Sequence, residues 1–517
     1  MEKNRIGYLA GKILLTLYLY CINYFYTFSA PWSWTAPVRL LLIYGLVHVI
    51  CGFLQKVKIP IRRSPDPMNW RFGICIFFMA ALLLGIYYAA YYPGGICSDS
   101  FNQWYQVQKG FYVDWHPVIH TFLFMKLPSL IWNNLAFVNL VQLIWLALAC
   151  AYLGMVMERW GICKAGSAAA IGGALLIPAS AITLSFCWKD TALTLFCILI
   201  AAQVMEIVCS EGLWLKKTSH IVTFAAACAL AMLIRHNGVL LIGPLVLLLT
   251  ILYWKQLKKY CLMSGVLILV IVAGIKGPFY RVLRAQNHSQ VSAEMLGVPM
   301  TILSNVLVNE PEKLDPECRE FLYEIGDQQM WEEHYKEGSW NSAKYMGDDI
   351  SNDVIEEVGT EKVLLYTWHA IQRSPYYSYR AVVRLFDVVW KPFSAEARWA
   401  YNVEVDNGEK YGYTTTGILW LQRILDTIRQ WSAEGGPLFT WGWNTGFYIL
   451  LLMFAGVSRL NGDLKKLVYW LPVLAYDFGT ALLLCGSDFR FFSFNTVLTF
   501  ALVMMILSEK EEVECVK

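Results

Sequence analysis

Four short segments, far apart in the chain, carry the side chains able to move protons or hold phosphate. PGGICSDSFNQWYQVQKGFYVDWHPVIH (93–120) supplies Asp99, Gln103, Asp114, His116 and His120. SFCWKDTAL (185–193) supplies Lys189 and Asp190, RHNG (235–238) supplies Arg235, His236 and Asn237, and CGSDFRFF (485–492) supplies Ser487, Asp488 and Arg490. A carboxylate among such groups can take the proton of an attacking hydroxyl. The cations can stabilise charge on a departing phosphate, Arg as a two-pronged donor and Lys as a point charge. Each segment also has a plainer reading. Lys189-Asp190 and Asp488-Arg490 can be interfacial ion pairs or snorkelling ends. His116-Pro117 can cap a helix starting at Val118, and RHNG can be a tight turn whose Asn-Gly takes a positive φ. Asp477, inside LPVLAYDFGTALLL, is either a functional carboxylate or one hydrogen-bonded between helices.

The elements that would position these residues are membrane helices. Of 517 residues, 57% are hydrophobic and only 16% charged, against about 25% charged in soluble proteins. Apolar runs such as TSHIVTFAAACALAMLI (218–234) and FFSFNTVLTFALVMMIL (491–507) are of spanning length, since about 20 helical residues cross the hydrocarbon core. The strands of a barrel would be shorter and alternating. The expected fold is an all-α polytopic membrane protein of about twelve transmembrane helices: 7–29, 38–55, 72–92, 133–156, 165–184, 190–208, 218–235, 238–254, 260–276, 438–457, 467–485 and 490–508. The first is expected to be an uncleaved span, because no small-residue cleavage site follows at Ala30-Pro31-Trp32. The 14 cysteines sit mostly singly in apolar runs without a CxxC pair, as packing residues would. No basic stretch interleaves with aromatics in a soluble region, which argues against nucleic-acid binding.

Charge then sets the orientation. Twenty bases fall on one side: Lys3, Arg5 and Lys12, five in loop 56–71, Arg159 and Lys164, Lys216 and Lys217, Lys255, Lys258 and Lys259, Arg459, Lys465 and Lys466, Lys510 and Lys517. Seven fall in the short loops opposite: Arg39, Lys109, Lys126, Lys189, Arg235, Lys276 and Arg490. The positive-inside rule makes the first side cytoplasmic, with both termini there and the chain in the plasma membrane. Residues 277–437, with 24 acids and 15 bases, are then external. Apolar residues at three- and four-residue spacing in VRLFDVVWKPF (383–393) and GILWLQRILDTIRQW (417–431) predict helices there. The expected organisation is a transmembrane region 1–276 with an external loop 93–132, a mainly helical surface domain 277–437, and a transmembrane region 438–517. All four chemistry-bearing segments then lie at the outer boundary. The cytoplasmic loops are expected to hold Lys and Arg without paired carboxylates.

The early external loop with its Asp, the span number and the later external domain resemble the GT-C superfamily of polyprenyl-phosphate-sugar-dependent glycosyltransferases. YPGGICSDSFNQWYQ…DWHP (92–117), WKD (188–190), RHNG (235–238) and SDFRF (487–491) resemble, more closely, an uncharacterised family of bacterial, mostly Gram-positive, membrane proteins of that type. The resemblance implies that Asp99 is the general base for the acceptor hydroxyl. It makes His116 an orienting partner, an alternative base or a metal ligand. Lys189, Arg235 and Arg490 would hold the lipid phosphate, beside Asp190, His236 and Asp488, and Asn237 and Gln103 would contact sugar. The implied donor is a polyprenyl-phosphate-linked sugar and the acceptor an envelope glycan, polymer, lipid or protein. No dense cluster of metal-ligating residues stands out, so no metal ligand set is assigned. The competing class is a twelve-span lipid or glycan flippase or transporter using Asp477 and the outer ionisable cluster, although the two halves show no evident repeat of the kind many carriers have.

Overall fold

The computed structural model describes residues 5–27, 34–286, 292–344, 350–406 and 408–511; Lys3, Ala30-Pro31-Trp32 and Lys517 lie outside them. The described chain is almost entirely helical, with two three-residue strands. Seven helices are long and apolar enough to cross a membrane: Arg5–Tyr24, Ala36–Lys56, Trp70–Ala90, Leu135–Arg159, Lys189–Cys209, Trp254–Val282 and Phe489–Leu507. The chain is thus a polytopic helical membrane protein. An eighth crossing exists if the pair Lys164–Leu176 and Pro178–Leu184, bent by 74°, counts as one. The bend follows from Pro178, which cannot donate to the preceding turn and pushes Ile177 to an extended backbone (ψ 122°). The other four of the twelve expected spans are shorter helices: Thr218–Ile234, His236–Leu252 and Thr445–Ser458, and Leu471–Ala481. Among the described residues, seven crossings, or eight with the bent pair, have the length and apolarity of a span. Apolar character fixes where a helix is buried, but its length is set by breaks such as RHNG and Pro178.

The chain divides into two compact units, Met1–Asn287 with Pro392–Tyr476 and Phe492–Lys517, and His288–Lys391 with Asp477–Phe491. In the first, Lys189–Cys209 is buried nearly all round, as a helix apolar on every face must be. It packs against Leu135–Arg159, Thr218–Ile234 and Phe494–Leu507. In the second, Gly297–Asn309 packs on Thr360–Arg373 and Pro375–Leu385, over a core including Leu303, Phe321, Trp331, Trp340 and Ile355. These boundaries differ from the expected 277 and 437. Residues 392–437 belong to the first unit, because Ile96 donates to Glu404 O (3.0 Å), Asp406 N to Ile96 O (2.8 Å) and Gln422 Nε2 to Ala90 O (2.6 Å). Amphipathic spacing announces a helix without saying what it will pack on.

The loops expected to hold mainly Lys and Arg without paired carboxylates do carry such pairs. Glu206 takes Arg159 (2.6 Å) and the Trp160 indole (3.1 Å). Glu211 pairs with Lys465 and with Lys510 (2.6 Å), and Glu509 with Arg459 (2.7 Å) and Lys58 (2.9 Å). Burial alone would raise the Glu211 carboxyl, but the two ammonium groups hold it below the ordinary range. Glu206 lies in the last turn of Lys189–Cys209, Glu211 just beyond that helix, and Glu509 in a short strand. The two strands, Ile59–Ile61 and Ser508–Lys510, pair in parallel beside them.

Candidate functional site

The site in the first unit is assembled by a short backbone ladder. Gly95 N donates to Ser185 O (3.1 Å) and Cys187 N donates to Gly95 O (2.9 Å), so PGGIC runs parallel to SFC. Ser100 Oγ donates to Cys187 O (2.6 Å). Two amides from Leu135–Arg159 lock the pair: Asn139 Nδ2 donates to Pro93 O (3.0 Å) and Ser185 O (3.1 Å), and Gln142 Nε2 to Phe186 O (2.9 Å). Gly94 is required here, since its φ is +90° and a Cβ would lie 2.2 Å from the Asn139 amide nitrogen. Each side of the ladder runs directly into a helix, Ser98–Lys109 and Lys189–Cys209. Ser98–Lys109 is held down by Phe101, Trp104 and Val107, packed on Val138, Leu135 and Cys187. Asp99 and Lys189 thus start neighbouring helices, and their charged groups lie 3.6 Å apart, both part-exposed. A carboxylate in the first turn of a helix is favoured in its ionised form by the unpaired backbone N–H groups.

Lys189 also faces His116, its Nζ 3.4 Å from His116 Nδ1. Asp99, Lys189 and His116 therefore form one contiguous array. The next residue, Asp190, is fully buried and ion-paired with the buried Arg235. The guanidinium of Arg235, expected at the lipid phosphate, is held inside the protein by a carboxylate. RHNG is a 3-10 turn, His236–Gly238, and Gly238 has φ −55°, not the expected positive value. Glycine is needed there for close approach, a Cβ lying 2.5 Å from Ala231 O. His236 is exposed, with Nε2 3.4 Å from Asp114 O, and Asn237 is half-buried.

Gln103 is not at a sugar-contacting surface. It is buried, donating through Nε2 to His120 Nδ1 (2.9 Å) and Thr121 Oγ1 (2.8 Å). Its place follows from the inward face that Ser98–Lys109 shares among Phe101, Gln103 and Trp104. Burial, with Lys189 and His116 adding like charge, pushes His120 down to about 3, so this imidazole is a neutral packing and hydrogen-bonding group. Asp114 accepts from Tyr280 Oη (3.3 Å) and faces Lys276 (3.8 Å). Asp488 and Arg490 belong to the second unit, where they pair at 2.9 Å and the Arg490 N–H donates to Asp488 Oδ1 (3.0 Å). Asp477 belongs to that unit as well, with no exposed surface. Among the described residues, no group of three or more His, Cys, Asp or Glu is placed to hold a metal ion.

The amides of Asn139 and Gln142 were not singled out from the sequence. Their signal was two polar residues three apart within an otherwise apolar span, where each must find a partner. Comparison with known proteins adds nothing to the site: no protein-family model, no curated protein and no solved structure matches the chain.

Proposed function

We propose that this chain is a membrane glycosyltransferase of GT-C type. It would move a sugar from a polyprenyl-phosphate donor to a cell-envelope acceptor on the outer face, with Asp99 as general base. The observation that carries this reading is the part-exposed Asp99 carboxylate 3.6 Å from Lys189, with His116 beyond it. In the reaction, the acceptor O–H gives its proton to Asp99 as the oxygen bonds to the anomeric carbon. The bond from that carbon to the phosphate oxygen breaks, and the polyprenyl phosphate leaves with both electrons. Lys189 stands where it can meet the charge that develops on the departing oxygen. An aspartate carboxylate is ordinarily ionised at neutral pH, so a side chain of this type can accept the proton.

The reading requires an outward-facing site, and the division of 20 bases from seven supports that orientation. In intact cells an impermeant maleimide should label Lys109→Cys and Gln329→Cys but not Lys216→Cys, each measured against the parent chain. The reverse pattern would put Asp99 on the wrong side and remove the reading. Transfer itself is tested with purified protein in liposomes containing radiolabelled polyprenyl-phosphate sugars and an envelope extract. Release of free polyprenyl phosphate with label moved to a new product is expected. Movement of intact donor between leaflets, without bond cleavage, would favour the flippase reading in its place.

A further inference from the structure

We propose that the helix Leu419–Glu434 lies within the lipid–water boundary, with its apolar face among acyl chains, and thereby sets the depth of the helix bearing Asp99. Trp420, Ile424, Ile428 and Trp431 are 65, 49, 39 and 56% exposed. They recur at four, four and three residues, so they form one stripe. Leu425, Ser432 and Ala433, off this stripe, are buried. The stripe is thus presented outward by a helix that is packed elsewhere on its surface.

What covers it follows from where the helix is attached. Ile418 N donates to Ala89 O (3.2 Å), Gln422 Nε2 to Ala90 O (2.6 Å) and Tyr91 Oη to Asp426 Oδ1 (2.6 Å). The approach is close enough that a Cβ at Gly417 would lie 1.8 Å from Ala90 O. Ala90 ends the crossing helix Trp70–Ala90, whose 21 residues span about 31 Å, matching a hydrocarbon core of about 30 Å. Trp70, Ile74, Phe78 and Leu82 form the exposed, lipid-facing stripe of that helix. A second helix fastened at its end continues this surface at the edge of the core. Tryptophan is favoured at that depth, and an amphipathic helix beds its apolar face there. Arg423 and Arg429 are balanced by Asp426 and Glu434, so acyl chains, and not anionic headgroups, are the partner that fits.

The attachment reaches the Asp99 helix through residues 405–406 and 408–418. Val405 bridges Ile96, Tyr411 stacks on Phe101 with ring centres 4.4 Å apart, and Tyr413 Oη accepts from Leu135 N (3.3 Å). Phe101 lies two residues beyond Asp99. A lipid-seated helix at one end of this strap therefore holds Asp99 at a set distance from the bilayer. The proposal rests on the transferase reading only for what that depth is used for; the lipid contact stands without it.

The test uses the full chain, one copy per nanodisc of phosphatidylcholine, with a diazirine on the acyl chain and peptide mapping after irradiation. Adducts are expected on Trp420, Ile424, Ile428 and Trp431 as well as on Ile74, Phe78 and Leu82, and adding anionic lipid should not increase them. The double variant Ile424→Glu, Ile428→Glu should lose the adducts on 419–434 and keep those on 74–82, which also report intact folding. Labelling of 74–82 without 419–434 in the parent chain would overturn the proposal, as would adducts undiminished by the two charges. Neither result depends on sugar transfer.

Discussion

Asp99→Asn lowers sugar transfer by about 10²–10⁴-fold, the usual contribution of a positioned general base, while leaving donor binding in place. The amide keeps the shape of the side chain but accepts no proton at neutral pH. Only the step in which the acceptor hydroxyl loses its proton is therefore removed. Lys189, 3.6 Å away, loses its counter-charge without losing its position, so its attraction for a phosphate is retained. Lys189→Met should instead weaken donor binding together with turnover, because a phosphate contact exists before the transition state and strengthens in it. The measurement is single-turnover transfer at saturating donor, with donor affinity determined separately. Undiminished transfer in Asp99→Asn, beside loss in Asp477→Asn, would move the chemistry from the exposed carboxylate to the buried one. That is the result the carrier reading expects, since ionisable groups inside spans serve as relays.

Arg235→Ala destabilises the protein by about 3–5 kcal/mol, the usual cost of breaking a buried ion pair by removing one partner. Both side chains are withdrawn from solvent, the carboxylate completely, so water cannot replace the lost partner. The pair itself need not be stabilising relative to apolar residues of similar volume. Hence Asp190→Asn combined with Arg235→Met should recover most of the loss, which a simple gap in packing would not allow. Equilibrium unfolding in mixed micelles compares the single and double variants with the parent chain. A normal midpoint for Arg235→Ala, accompanied by weaker donor binding, would return Arg235 to the phosphate-holding role that the family resemblance implies.

The parts of this molecule legible in its sequence are those set by local composition. Long apolar runs and scarce charge require membrane helices, and every expected span has a helix at its place. The shortening of Thr445–Ser458 and the kink between Leu176 and Pro178 were less legible, since both depend on how neighbouring turns close. The ladder that brings Asp99 to Lys189 joins residues some ninety positions apart. Its only local marks are the paired glycines 94 and 95 and the amides at 139 and 142. The burial of Gln103 and Arg235 was not legible at all. Residue type states what a side chain can do, whereas its rotation about the helix axis decides what it meets. The same limit explains why GILWLQRILDTIRQW could be recognised as amphipathic while its packing partners, Ala89, Ala90 and Tyr91, could not be named.

The pairing of Ile59–Ile61 with Ser508–Lys510 sets a timetable for making this protein. About 450 residues of chain separate the two strands, and a ribosome adding about 5–20 residues per second needs roughly 20–90 s to produce them. During that interval the first strand has no partner, and the Arg459 guanidinium, which takes Glu509 and the Leu507 carbonyl, has not yet found its place. An unpaired strand is a template for other chains. The newborn protein thus passes through a stage in which all but its last helix is inserted while one edge stays open. A ribosome stalled before residue 508 would leave that edge open for good, a standing template for other chains.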